Sequence, residues 1–140
     1  MLFDLKSFLG QTKNYYLTPI ELKDFIDFEV KRVYYLNRVN DDGVFTGAHC
    51  HHNEKELFIV LTGSAILVLD RGQGLEEIPL TANQSVFIDN YIWHHFKNIA
   101  KDTIILALSS TNYNPNRNDY IESYEDYLKI RDEKLLNRDK

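Results

Sequence analysis

Cysteine, tryptophan, proline and positive charge are all scarce in this chain of 140 residues. A single cysteine, Cys50, excludes an internal disulfide and fits a reducing, cytoplasmic setting. Lysine and arginine number 16 against 21 aspartates and glutamates, for a net charge of −5. With an isoelectric point of about 5.5, a nucleic-acid backbone is not an expected partner. An anionic ligand would have to be met by a local cluster of basic groups. No apolar run approaches the length of a membrane span, so no membrane partner is expected. No charged n-region followed by an apolar h-region opens the chain. There are no internal repeats and no long linker. Histidine is scarce too: there are five, at positions 49, 51 and 52 and again at 94 and 95.

What is present suits one packed domain over 1–140. Hydrophobic residues make up 44% of the chain, enough for an ordinary core. Short runs rich in β-branched and aromatic residues recur at near-regular spacing. They fall at about 30–37, 49–51, 57–61, 65–70, 75–80, 85–89 and 103–109. Polar or glycine-containing breaks separate them, the signature of an all-β sandwich or barrel. Pro19 makes 15–21 an extended edge segment. Alternation over 30–37 puts Arg32, Tyr34 and Leu36 on one face and Val33 and Tyr35 on the other. The tail differs: Tyr120, Tyr124 and Tyr127 recur at helical spacing. They predict an amphipathic C-terminal helix over about 119–136 with Asn118 as its N-cap, covering the barrel or a partner. The barrel itself is expected over about 15–112.

The histidines carry the chemistry. In a strand, His49 and His51 share one face while Cys50 and His52 share the other. An isolated histidine is usually structural. An H-x-H pair beside an apolar strand, with a second pair on a later strand, points to the lining of a barrel. Cys50, facing away, reads as a small buried hydrophobe. The spacing sharpens this. Gly43, five residues, His49, one residue, His51, four residues, Glu56, six residues and Gly63 resembles the first motif of the cupin superfamily. His94, three residues and Asn98 resembles the end of its second motif, although Asp89 and Tyr91 stand where that motif has proline and glycine. The resemblance implies a small double-stranded β-helix, or jelly-roll, barrel. In metal-dependent cupins the matching ligands would be His49, His51, Glu56 and His94, a donor set suited to iron, manganese, zinc or nickel.

A narrower resemblance rests on K-R-V-Y-Y at 31–35, G-A-H-C-H at 47–51, L-T-G-S at 61–64 and Trp93-His94. It extends to A-L-S-S-T-N-Y at 107–113 and N-D-Y-I at 118–121. These segments resemble the dTDP-4-keto-6-deoxyglucose 3,4-ketoisomerases, related to WxcM-like proteins, over about 16–127. That resemblance implies a homodimer that exchanges N-terminal strands, a dTDP-linked keto sugar as substrate, and no cofactor or metal. It also implies a place in making 3-amino-3,6-dideoxy sugars for surface glycans such as lipopolysaccharide O-antigen. The chain departs from the family at Thr46 and Asn14, where the family carries arginines. Lys31, Arg32 and Arg38 are then the candidates to meet a diphosphate, with Trp93, His94 and Glu56 as further substrate contacts. The expected reaction is proton transfer through an enediolate. Histidine titrates near neutrality and suits that work. The expected roles are His49 as base, His51 as its partner and Tyr34 as donor to the enediolate oxygen. Two alternatives stand beside this reading: a metal-dependent cupin enzyme using the four-ligand set, and a non-catalytic cupin that binds a nucleotide sugar.

Overall fold

Strands that are apolar on both faces need cover on both sides, and this requirement organises the chain. The computed structural model describes residues 2–136; the rest of the expected 1–140 span lies outside them. The strands are β1 (Leu2–Asp4), β2 (Phe8–Leu9), β3 (Tyr16–Leu17), β4 (Arg32–Leu36), β5 (Cys50–His51) and β6 (Glu56–Thr62). They continue as β7 (Ser64–Asp70), β8 (Leu75–Thr81), β9 (Gln84–Ile88), β10 (Trp93–Lys97), β11 (Ile104–Ser109) and β12 (Tyr120–Ile121). One helix, α1 (Tyr124–Leu136), follows.

A five-stranded sheet in the order β1-β9-β6-β11-β4 faces a three-stranded sheet in the order β10-β7-β8, and all their pairings are antiparallel. The architecture is a cupin-type double-stranded β-helix barrel with a C-terminal helix. Phe58 and Val60 of β6, Ile105 and Ala107 of β11, Leu67 and Leu69 of β7 and Phe96 of β10 fill the space between the sheets. Leu57, Ile59 and Leu108 point the other way, where Leu5, Ile20, Phe25 and Ile26 of the N-terminal segment cover them. The β6–β7 connection turns at Gly63 with φ +87°, and a Cβ there would lie 2.2 Å from Thr103 Oγ1. Only glycine fits that combination of backbone angle and close approach.

The expected helix over about 119–136 with Asn118 as cap is corrected. Tyr120 and Ile121 form a strand paired with His51 and Cys50, and the helix begins at Tyr124. The Asp119 carboxylate explains the delay: it accepts from the backbone N–H groups of Asn53 and Glu54, 2.8 and 3.1 Å away. That interaction pins the chain extended beside β5. Asn118 instead accepts from Asn114 Nδ2 at 2.7 Å. Ser123 opens the helix, its Oγ accepting from the N–H of Asp126 at 3.3 Å.

Within α1, Tyr127 is the buried residue. Its hydroxyl donates to the carbonyls of Asp70 and Tyr91 at 2.9 and 3.0 Å. Its ring stacks on Trp93, with 5.6 Å between centroids. Tyr124 and Arg131 both donate to the buried Asp70 carboxylate. The helix therefore covers the end of β7 and the outer face of β10. Cys50 lies in the same cluster; burial and the nearby Asp119 carboxylate push its thiol up to about 12, leaving it an inert packing residue.

Candidate active site

Four chain segments meet at the cavity. His49 sits just before β5 and bridges to His94 of β10, each backbone N–H donating to the other's carbonyl at 3.2 and 2.9 Å. Tyr34 and Leu36 point inward from β4, while Val33 and Tyr35 are exposed outside, as alternation requires. The fourth segment is β12. Together they enclose a cavity of about 310 Å³ whose wall includes Tyr34, His49, His94, His95, Tyr120 and Arg117.

His49 and His51 lie edge to face, with 4.7 Å between ring centroids and 3.1 Å between their Nε2 atoms. Their surroundings shift them in opposite directions. Burial first, then the neighbouring His94 and His51, lower His49 to about 3, so the ring is neutral at pH 7. Its Nδ1 donates to the Gly47 carbonyl at 3.2 Å, because a carbonyl can only accept. The lone pair is therefore on Nε2. Burial alone would also lower His51. Glu54, Glu56 and Asp119 overcome it and hold His51 above the ordinary histidine value. Its Nε2 lies 3.0 Å from Glu54 Oε2 and its Nδ1 3.2 Å from Asp119 Oδ2, so both nitrogens face carboxylates. Burial opposes the charge on Glu54 in turn, but His51, Ser109 and Arg32 bring its carboxyl down to about 2.

Tyr34 Oη donates to Glu56 Oε1 at 2.5 Å. Burial, then the Glu56 charge and this hydrogen bond, push the hydroxyl well above the ordinary tyrosine range, so Tyr34 keeps its proton. Glu56 Oε2 lies 3.3 Å from His94 Nε2, and His94 Nδ1 donates to the Ile92 carbonyl at 2.9 Å.

His49, Tyr34 and His94 reach the cavity as expected. His51 and Glu56 are buried behind the cavity wall and meet it through His49, Tyr34, His94 and Tyr120. His95 also borders the cavity, although it follows His94 directly on β10. Trp93 does not: strand alternation turns it away from His94 and under the helix. Lys31 and Arg38 flank the two ends of β4 and are exposed away from the cavity. Arg32 shares the face of Tyr34, but its guanidinium donates to the buried Glu54 at 2.6 Å and lines a small cleft beside the main one.

Sequence reasoning missed Glu54, Asp119, Tyr120 and Arg117. The N-D-Y-I segment at 118–121 was a usable signal, since an acid and an aromatic at the start of a supposed helix serve equally well on a strand. Tyr120 packs on both imidazoles, 5.0 Å from His49 and 4.5 Å from His51 between centroids.

Residues 1–132 match the family described as "FdtA: WxcM-like, C-terminal". A similar curated protein is the TDP-4-oxo-6-deoxy-alpha-D-glucose-3,4-oxoisomerase of Aneurinibacillus thermoaerophilus. It is 29% identical over 114 residues, which are 81% of this chain and 80% of the relative. Among solved structures, the WlaRB TDP-quinovose 3,4-ketoisomerase of Campylobacter jejuni superposes with a TM-score of 0.80 at 28% identity, covering 92% of this chain and 96% of its own. A histidine-to-asparagine variant of the QdtA 3,4-ketoisomerase of Thermoanaerobacterium thermosaccharolyticum, in complex with TDP-4-keto-6-deoxyglucose, gives 0.81 at 28% identity, covering 97% and 96%.

Proposed function

The chain belongs to the WxcM-like, C-terminal FdtA family, and from that membership and its site we propose that it is a 3,4-ketoisomerase acting on a TDP-linked 4-keto-6-deoxyglucose. The observation that carries this reading is the adjacent pair of imidazoles at the cavity, 3.1 Å apart between Nε2 atoms, with carboxylates of Glu54 and Asp119 against one ring and a carbonyl against Nδ1 of the other. A 4-ketone is moved to C-3 by taking the C-3 proton, passing through an enediolate and returning a proton to C-4. The hydroxyl proton moves from O-3 to O-4, so no atoms are gained or lost. His49 is the base: its ring lines the cavity, and its Nε2, which carries the lone pair, lies 3.1 Å from His51 Nε2. The enediolate charge that develops next to it raises its proton affinity as the proton arrives. His51, clamped by Glu54 and Asp119, which favour its protonated form, stabilises the negative intermediate and orients His49. When substrate binds, the single Tyr34 O–H turns from Glu56 to an enediolate oxygen, and Glu56 takes part in the oxygen proton exchange.

A second reading starts from His49, His51, Glu56 and His94, whose donor atoms all lie within 4.8 Å of one another. Their spacing suits a divalent metal. The engagement of His51 does not, because its Nε2 and Nδ1 are already taken up by Glu54 and Asp119 at 3.0 and 3.2 Å. No step is therefore routed through a cation.

The remaining parts of the proposal concern setting. Phe8, Leu9, Tyr16 and Leu17 of β2 and β3, with Val33 and Tyr35 of β4, are exposed apolar groups. Their exposure supports a homodimer that buries this face, with exchanged N-terminal strands. A cytoplasmic place in making 3-amino-3,6-dideoxy sugars for surface glycans follows from the same reading.

The test is incubation with dTDP-4-keto-6-deoxyglucose in deuterated water, following the C-3 proton. Exchange with formation of a 3-keto sugar is expected from the unaltered chain and is expected to be abolished in a folded His49→Asn variant. Near-normal turnover in that variant would remove His49 as base. No exchange by the unaltered chain would favour a binding module. Stoichiometric iron or manganese, with activity lost on chelation, would favour the metal reading.

A further inference from the structure

The reaction uses the imidazole end of the cavity. Beyond Tyr120 the lining carries Arg117, which among the described residues lining the cavity is the single arginine or lysine. The other basic candidates are spent or misplaced, since Arg32 is tied to Glu54 and Lys31 and Arg38 are outside. The Arg117 guanidinium carbon lies 3.9 Å over the ring of Tyr120, and that same ring packs on His49 and His51. One aromatic side chain therefore sets the distance between the cation and the reacting imidazoles. The backbone is organised to hold this position. Arg117 has φ +54°, a left-handed conformation uncommon for arginine. Its N–H donates to the Asn114 carbonyl at 3.0 Å, and its carbonyl accepts from Tyr120 at 3.1 Å. Nε and Nη2 both donate to a single oxygen of Glu122, at 3.1 and 2.5 Å.

We propose that Arg117 binds the diphosphate of the nucleotide sugar and that Glu122 is a placeholder the diphosphate displaces. This rests on the ketoisomerase reading and assigns the anion subsite of the same cavity. A hexose carries its diphosphate at C-1 and reacts at C-3 and C-4, so the cation must be set apart from the base, and the Tyr120 ring stands between Arg117 and His49. An exposed arginine–glutamate pair is weak. A phosphate can accept two N–H groups of the guanidinium fork at once and brings more charge. The exchange therefore favours ligand, while Tyr120 keeps the guanidinium aimed.

Titration calorimetry with dTDP and with thymidine, on the unaltered chain, Arg117→Ala and Glu122→Gln, tests this. Arg117→Ala is expected to weaken dTDP by about tenfold or more while leaving thymidine within about twofold. Glu122→Gln is expected to tighten dTDP and to leave its melting temperature unchanged. If Arg117→Ala binds dTDP as well as the unaltered chain does, the assignment of Arg117 is overturned and the ketoisomerase reading stands. If the unaltered chain binds no dTDP at all, the nucleotide-sugar reading falls and takes this inference with it. Equal or weaker dTDP binding by Glu122→Gln overturns the placeholder role.

Discussion

Replacing His49 by asparagine should change the pH dependence of stability as well as turnover. The folded protein holds this ring neutral down to about 3, against an ordinary value of 6.5, because burial and two neighbouring imidazoles oppose a charge there. Between these values the unfolded chain binds the proton and the folded chain does not. Stability therefore falls as pH falls through that window. One group contributes at most ~1.4 kcal/mol per pH unit, and the drop starts below 6.5. Going from about pH 7 to about pH 5 then costs roughly 2 kcal/mol through this ring alone. His51 acts in the opposite sense. Its folded value is raised, so its contribution is complete below 6.5 and is lost as pH rises through the folded value. Comparing the unaltered chain with His49→Asn cancels His51 and the carboxylates to first order. Urea unfolding of both proteins at the two pH values, at fixed protein concentration, is the assay. The acid-side loss should be smaller in the variant by roughly 2 kcal/mol. An equal loss in both proteins would mean that His49 titrates as an ordinary histidine, and the neutral-base role would fail with it.

Asp119→Asn removes the carboxylate at His51 Nδ1, so the alkaline limb of the kcat profile should move to lower pH and kcat at that limb should fall roughly tenfold. An unmoved limb would detach Asp119 from His51 function. Tyr34→Phe should lower kcat by about a hundredfold with little change in KM. It also leaves Glu56 Oε1 without its donor, so chemical denaturation should register a loss of about 1–3 kcal/mol. Gly63→Ala combines a positive φ with a Cβ 2.2 Å from Thr103 Oγ1 and should cost more than about 2 kcal/mol. A melting temperature equal to that of the unaltered chain would refute the close packing at that turn.

The barrel was legible because strand formation is a local matter. The alternation that sends Tyr34 inward and Tyr35 outward, and the i, i+2 pairing that sets His49 and His51 against Cys50, are read from neighbours in the chain. The glycine at the β6–β7 turn and the apolar run of β6 are equally local. The tail was misread because its tyrosines satisfy a helical period while Asp119 holds the chain extended through two backbone N–H groups of a distant loop. Trp93 was misassigned for a related reason. Its strand could be inferred, but the helix that buries its outer face could not.

By itself the sequence determined which residue types could do proton chemistry, that two imidazoles share a face, and that a sheet would carry them. Tertiary structure decided their charges. Glu54 and Asp119 reach His51 from different segments, the Asp119 contact spanning 68 residues of sequence, and leave His49 only a carbonyl. A proton goes where the surrounding field and the loss of water make it least costly, and that field exists only once the segments have come together.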